Sequence, residues 1–100
     1  MITRIWQGKT LAKHAEKYLD YLRETGMEDY QNTKGNLSAK ILRNITGDIC
    51  HFWVITEWVD IQSIKNYAGP DFERAKYYPL DERYLLHLEE KVEHFETFTY

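Results

Sequence analysis

An α+β fold of order β-α-β-β-α-β is predicted, with one antiparallel sheet and its helices on one face. Three observations carry that prediction. Strand-like runs at both ends of the chain enclose two helix-like runs, each lying between strands. A Gly47-Asp48 turn joins Leu37–Thr46 to Ile49–Asp60 and marks a central hairpin. The returning strand, ICHFWVITEWVD, is apolar on both alternating faces and so needs cover from two sides. Right-handed crossovers put both helices on the same side. A chain of 100 residues makes a single domain, 1–100, with little left over for the second side. A homodimer that stacks two such sheets face to face is therefore expected.

Ile2–Lys9 reads as the first strand, with Ile2, Arg4, Trp6 and Gly8 on one face and Thr3, Ile5, Gln7 and Lys9 on the other. Thr10 offers an N-cap oxygen for a helix over Leu11–Thr25, whose stripe is Leu11, Ala15, Tyr18, Leu19 and Leu22. Gly26 is expected to stop it, and Met27–Asn36 to form a loop. In the hairpin, Cys50, Phe52, Val54, Thr56 and Trp58 share one face, opposite Ile49, His51, Trp53, Ile55 and Glu57. Asp60 caps a helix carrying Ile61, Ile64, Tyr67 and Ala68, which Gly69-Pro70 ends. Asp71–Tyr78 reads as another short helix, Asp81–Leu88 as a further turn or two, and Val92–Thr99 as an outer strand.

Composition narrows the function classes. The net charge of -3 arises from interspersed acids and bases, with no basic stripe for nucleic acid. No apolar run approaches the roughly 18 residues of a membrane span, and Met1–Thr10 has no signal-peptide core, so a cytoplasmic protein is expected. Cys50 is the sole cysteine and is read as a small buried hydrophobe. His14, His51, His87 and His94 form no HxxxH or HExxH pair, so no metal site is expected. His51 is open to two readings, a base for a phenolic proton or a hydrogen-bonded interface or core histidine. Arg43 and Glu57, near the ends of the hairpin strands, could both face a dimer partner.

The strand end Thr56-Glu57-Trp58 running into Asp60-Ile61-Gln62-Ser63-Ile64, the order of elements, and the fragment Ala75-Lys76-Tyr77-Tyr78-Pro79 resemble the antibiotic biosynthesis monooxygenase domain family. The resemblance spans Ile2 to Phe98. It implies a ferredoxin-like domain paired into a dimeric α+β barrel, with a ligand held between helices and sheet. Members resembling it include cofactor-independent oxygenases of polycyclic phenols or quinols, and haem-degrading enzymes. By position, the haem-degrading branch implies an amide at Gln7, an indole at Tyr67 and a histidine at Tyr77, with Tyr78 the neighbouring alternative. Here the amide is one methylene longer, the indole is a phenol and the imidazole is absent, so haem binding or breakdown is the least favoured reading. Phenolate can still ligate ferric haem.

Tyr67, Phe72, Tyr77 and Tyr78, with Tyr84 shortly after, form either an aromatic pocket wall or ordinary helix–sheet packing. The leading expectation is a cofactor-independent, monooxygenase-like protein that binds a planar phenolic or quinol-type molecule. In it, Gln7 and Tyr67 orient the substrate and Tyr77 or Tyr78 polarises its oxygens. Tyr18, Leu22, Trp58, Phe72 and Tyr78 would line the site, and no cofactor is expected. The alternative is a homodimeric small-ligand-binding or stress-associated protein without turnover.

Overall fold

In the computed structural model, which describes residues 1–100, β1 is Ile2–Leu11, β2 is Asn36–Thr46, β3 is Ile49–Trp58 and β4 is Glu93–Glu96. They form one sheet of order β2-β3-β1-β4, each neighbouring pair antiparallel. That is the ferredoxin-like arrangement expected from the order of elements. The helices are α1 (Ala15–Leu22), α2 (Glu28–Gln31), α3 (Ile61–Ala68) and α4 (Asp81–Tyr84). No helix is long and apolar enough to cross a membrane.

One face of the sheet is covered. Along β3, Cys50, Phe52, Val54, Thr56 and Trp58 are buried, whereas Ile49, His51, Trp53, Ile55 and Glu57 are half-buried. On β1, Arg4, Trp6, Gly8 and Thr10 are buried, while Gln7 and Lys9 are exposed. Trp6 lies opposite Val54 and Gln7 opposite Trp53, and directly opposed residues share a face. The core therefore forms between the helices and the Trp6/Val54 face, where burying each large apolar side chain contributes about 1.5–3 kcal/mol.

The hairpin turns as its residues dictate. Gly47 takes φ 60°, whereas Asp48, like every other non-glycine residue, avoids positive φ, which is the Gly-first turn. At Gly8 the requirement is space, because an added Cβ would lie 2.3 Å from Trp6 Cη2. The absence of a side chain lets the Trp6 indole lie back along its own strand. In α3, Asp60 Oδ1 accepts from Ser63 N at 2.8 Å and from Ser63 Oγ at 2.7 Å, and the helix ends at Gly69, both as expected.

Several local expectations are corrected. Thr10 is a strand residue, paired with Cys50, and its hydroxyl donates to Leu11 O instead of capping. A 3-10 turn, Ala12–His14, leads into α1. Gly26 does not stop the helix. The chain widens into a π turn over Arg23–Met27 and stays helical to Gln31, so the first half of the predicted 27–36 loop is helix. The tertiary reason is Tyr30, which buries its ring 4.7 Å from Tyr67 and 6.2 Å from Trp58. That burial, worth about 1.5–3 kcal/mol, outweighs the roughly 1 kcal/mol that a helical glycine costs.

The predicted helix over Asp71–Tyr78 is also absent. Ala75 N donates to Glu90 O and Val92 N to Glu73 O, both at 2.9 Å, so this segment runs beside the chain leading to β4. Its backbone is satisfied by that pairing and not by a helix. Arg43, expected toward a partner, instead turns under the helices and meets Glu16 at 2.7 Å.

Candidate functional site

A cleft lies between the sheet and the helical layer, where the expected ligand position falls. Arg4, Trp6 and Val54 form its floor from β1 and β3. Tyr18 and Leu22 of α1, then Met27 and Tyr30 beyond the π turn, form one wall. Tyr67 of α3 faces them, and Lys76, Tyr78 and Asp81 close the mouth. The free space within it is about 20 Å³, room for about one water. Outside it, a groove of about 580 Å³ runs between α1 and β2, bounded by Leu19, Arg23, Ala39, Ile41 and Arg43. Met27 lines both spaces. A flexible thioether, the most adaptable of core side chains, is thus all that the two linings share.

Polar contacts lace the mouth shut. Tyr67 Oη and Tyr78 Oη are 3.3 Å apart, and Tyr78 donates a short hydrogen bond to Asp29 Oδ2. Lys76 Nζ reaches the same carboxylate oxygen at 3.3 Å, donates to Tyr67 O at 3.2 Å and lies 4.5 Å from the Tyr67 ring centre. Tyr18 Oη donates to Asp81 Oδ1 at 2.8 Å, and Asp81 Oδ2 accepts from Tyr78 N at 2.7 Å. No buried side-chain nitrogen or oxygen lacks a partner.

The electrostatics follow from burial. It pushes the phenols of Tyr18, Tyr67 and Tyr78 well above their usual range, with the Asp81 and Asp29 carboxylates adding to the rise at Tyr18 and Tyr78. These hydroxyls stay protonated and act as donors. Burial likewise raises Asp81, against the two hydrogen bonds it accepts. The Tyr78 hydrogen bond, then Lys76, hold Asp29 low. His94, beside the floor, is brought down to about 4 by burial and by the Arg4 charge, so it is neutral near pH 7. The cleft therefore offers aromatic faces, neutral donors and one buried guanidinium. It has no thiol, and no cluster of three or more His, Cys, Asp or Glu side chains is gathered anywhere to hold a metal.

Of the residues singled out from sequence, Tyr18, Leu22, Tyr67 and Tyr78 meet in the cleft. Trp58 lies just beneath, fully buried, its indole 5.8 Å from the Tyr67 ring and its Nε1 donating to Thr56 Oγ1. Gln7 is corrected: it is exposed on the other face of the sheet, opposite Trp53. Period-2 alternation put Gln7 and Trp6 on opposite faces, and the helices cover the Trp6 face. Tyr77 is turned away as well, because extended backbone sends successive side chains to opposite sides. Its hydroxyl donates to Glu89 O at 2.6 Å and receives Trp6 Nε1 at 3.5 Å. Phe72 packs 5.0 Å from His94 at the far end, and Tyr84 against Tyr18 and Tyr21.

Sequence reasoning missed Arg4, Trp6, Tyr30, Asp29, Lys76 and Asp81. A signal existed for two of them. Trp6 is the largest apolar residue of β1 and should have set the buried face, and Tyr30 continues the Leu22, Gly26 spacing of i, i+4. The open sheet face carries His51 stacked on Trp53 at 6.0 Å, and Glu57 accepting from Ser38 Oγ at 2.7 Å. Cys50 is fully buried, with its thiol pushed up by that burial.

No family model matches the chain, and no curated protein matches its sequence. Solved structures do. A mutant of MhuD with two manganese protoporphyrin IX molecules bound per active site is 16% identical, with TM-score 0.60 over 99% of this chain and 96% of that one. PA3566 from Pseudomonas aeruginosa is also 16% identical, with TM-score 0.65 over 98% and 94%. At this identity the likeness establishes the fold. A porphyrin does not suit the residues present. Both candidate axial phenols are engaged, Tyr77 with Glu89 O and Tyr78 with Asp29, and burial keeps each protonated. No imidazole lines the cleft.

Proposed function

We propose that this chain binds a small planar phenolic or quinol-type molecule in the cleft between its helices and its sheet, as one protomer of a homodimer. The observation that carries this reading is the convergence of four phenols, Tyr18, Tyr30, Tyr67 and Tyr78, on one narrow cleft beside a larger groove. Aromatic walls with a few fixed donors suit a flat ring that bears oxygens. The free space in the cleft is far below the roughly 300 Å³ of a filled ligand site, so binding requires Met27 and the Lys76–Asp29 closure to move. That closure is a half-exposed ion pair, worth about 0–1 kcal/mol, so opening it costs little. The second copy covers the open sheet face, where Ile49, Trp53 and Ile55 stay half-buried in a single protomer.

Turnover is the second reading, a cofactor-independent monooxygenase in which a deprotonated substrate reacts directly with oxygen. The Tyr67 and Tyr78 hydroxyls, 3.3 Å apart inside the cleft, favour it because they can hold two substrate oxygens. Gln7 and Tyr77 have no part in it. Both readings are tested with anthrone- and quinol-like compounds, following tryptophan quenching and oxygen uptake in wild type, Tyr67→Phe and Gln7→Ala. Saturable quenching, weakened in Tyr67→Phe and unchanged in Gln7→Ala, is expected. Quenching without oxygen uptake above the protein-free rate leaves binding alone, and no saturable quenching by any compound overturns the proposal.

A further inference from the structure

Arg4 and Asp81 are the two charged residues in the buried set, and they differ in one respect. Asp81 is surrounded by donors. Arg4, only 3% exposed, has no carboxylate within salt-bridge distance, although Arg23, Arg43 and Arg74 each have one. Its guanidinium donates to Phe72 O at 2.5 Å and to Arg74 O at 3.3 Å, and one nitrogen lies 3.1 Å from His94 Nε2. All three partners are neutral. They satisfy part of the hydrogen-bonding capacity and none of the charge. A buried cation without a counter-ion is costly, and chains that keep one generally pair it.

We infer that Arg4 makes the cleft an anion site, so that the bound molecule is an aromatic carrying a carboxylate or an ionised phenol. The inference rests on the cleft being a ligand site, as proposed above, and names the class of ligand it takes. The geometry fits. Arg4 is part of the cavity floor, and its guanidinium carbon lies 5.7 Å from the centre of the Tyr67 ring. A flat anion stacked on Tyr67 would bring its charge to the guanidinium, while the Tyr67 and Tyr78 hydroxyls donate to its oxygens. Asp29 and Asp81, the acids of the cleft, are already occupied by Lys76 with Tyr78 and by Tyr18. Neither is held against Arg4. The vacancy in charge is local to the floor, where a planar guanidinium matches a carboxylate or phenolate better than a lysine would.

The test compares two probes of equal size, 2-naphthoate and 2-naphthamide, by tryptophan quenching and calorimetry. The wild type is expected to bind the anion about tenfold more tightly, since a charge-assisted bond replaces a neutral one. Arg4→Met should bring both probes to the same affinity, whereas Arg4→Lys keeps part of the preference. If Arg4 only staples the 72–74 backbone to β1, Arg4→Met lowers the melting temperature but leaves the preference intact, which overturns the inference. Equal affinity of both probes for the wild type overturns it too, with the ligand cleft left standing. Binding of neither probe removes the cleft and the inference together. Should Arg4→Met fail to fold, the wild-type preference and its reduction in Arg4→Lys decide the matter, and a preference unaltered in Arg4→Lys counts against the guanidinium.

Discussion

On the helix side of β3, Cys50, Phe52, Val54, Thr56 and Trp58 are shut away from water, while on its other side Ile49, His51, Trp53, Ile55 and Glu57 are half-buried. In sequence the two sets are almost equally apolar, and each holds one tryptophan. Trp58 meets Tyr30 and Tyr67, whose rings lie 6.2 and 5.8 Å away, and its nitrogen is bonded. Trp53 meets His51 alone among the aromatics and sits beside a depression of about 170 Å³ shared with Gln7 and His87. The difference is one of cover. A single crossover layer, with its short α2 extension, covers one face and forms the cleft against it. The opposite face keeps its apolar residues half-exposed in the single protomer.

Truncating the two tryptophans should separate the faces most sharply. Trp58→Ala is expected to lose about 3–5 kcal/mol of unfolding free energy in urea, and Trp53→Ala about 1 kcal/mol in the monomer. Trp53→Ala should instead weaken the proposed homodimer by about tenfold or more in sedimentation, the effect expected of a tryptophan central to an interface. A wild-type chain that remains a stable monomer at high concentration would break the comparison at its open face.

Crowding comes next. Gly8→Ala pushes a methyl into Trp6 and should cost about 1–3 kcal/mol in thermal melts, with much less cost in a Trp6→Leu background.

A pH effect follows from His94. Its pKa is lowered from 6.5 to about 4 in the fold, so the unfolded chain binds the extra proton between those values. The stability it contributes is complete above pH 6.5 and is lost as pH falls toward 4. For a half-buried ring the effect is on the order of 1–2 kcal/mol. His94→Gln, which can still accept from Arg4, should flatten the stability–pH curve in that window relative to wild type. An unchanged slope would mean that His94 is not held neutral by burial and Arg4.

The smallest effect belongs to the mouth of the cleft. Lys76→Met should change stability by only about 0–1 kcal/mol yet speed ligand association in stopped-flow quenching, because it removes half of the closure over Tyr67. Unchanged association rates would place the entrance elsewhere, with Met27 and the outer groove the remaining route.

Much of this molecule was legible in its residues. Alternation in Ile49–Asp60, the Gly47-Asp48 turn and the Asp60 cap each act over a few neighbours, and the fold bears out all three. The order of elements then determined the sheet, because crossover handedness leaves few alternatives. Tyr18, Leu22, Tyr67 and Tyr78 could be nominated because helical spacing or adjacency kept them together. Long-range packing decided the rest. Whether Gln7 or Trp6 faces the helices depends on which side the crossovers cover, and alternation alone cannot choose between the two faces. Gly26 stays helical because Tyr30 finds Trp58 and Tyr67, residues far along the chain. The 71–78 segment is not a helix because Glu90 and Val92 pair with Ala75 and Glu73, and the chain beyond them carries Tyr78 inward and Tyr77 away. Arg4 looked like one polar residue in a strand. Only the tertiary structure buries its charge among neutral carbonyls, because the groups that surround it come from positions 67 to 94 and meet it only when the sheet closes.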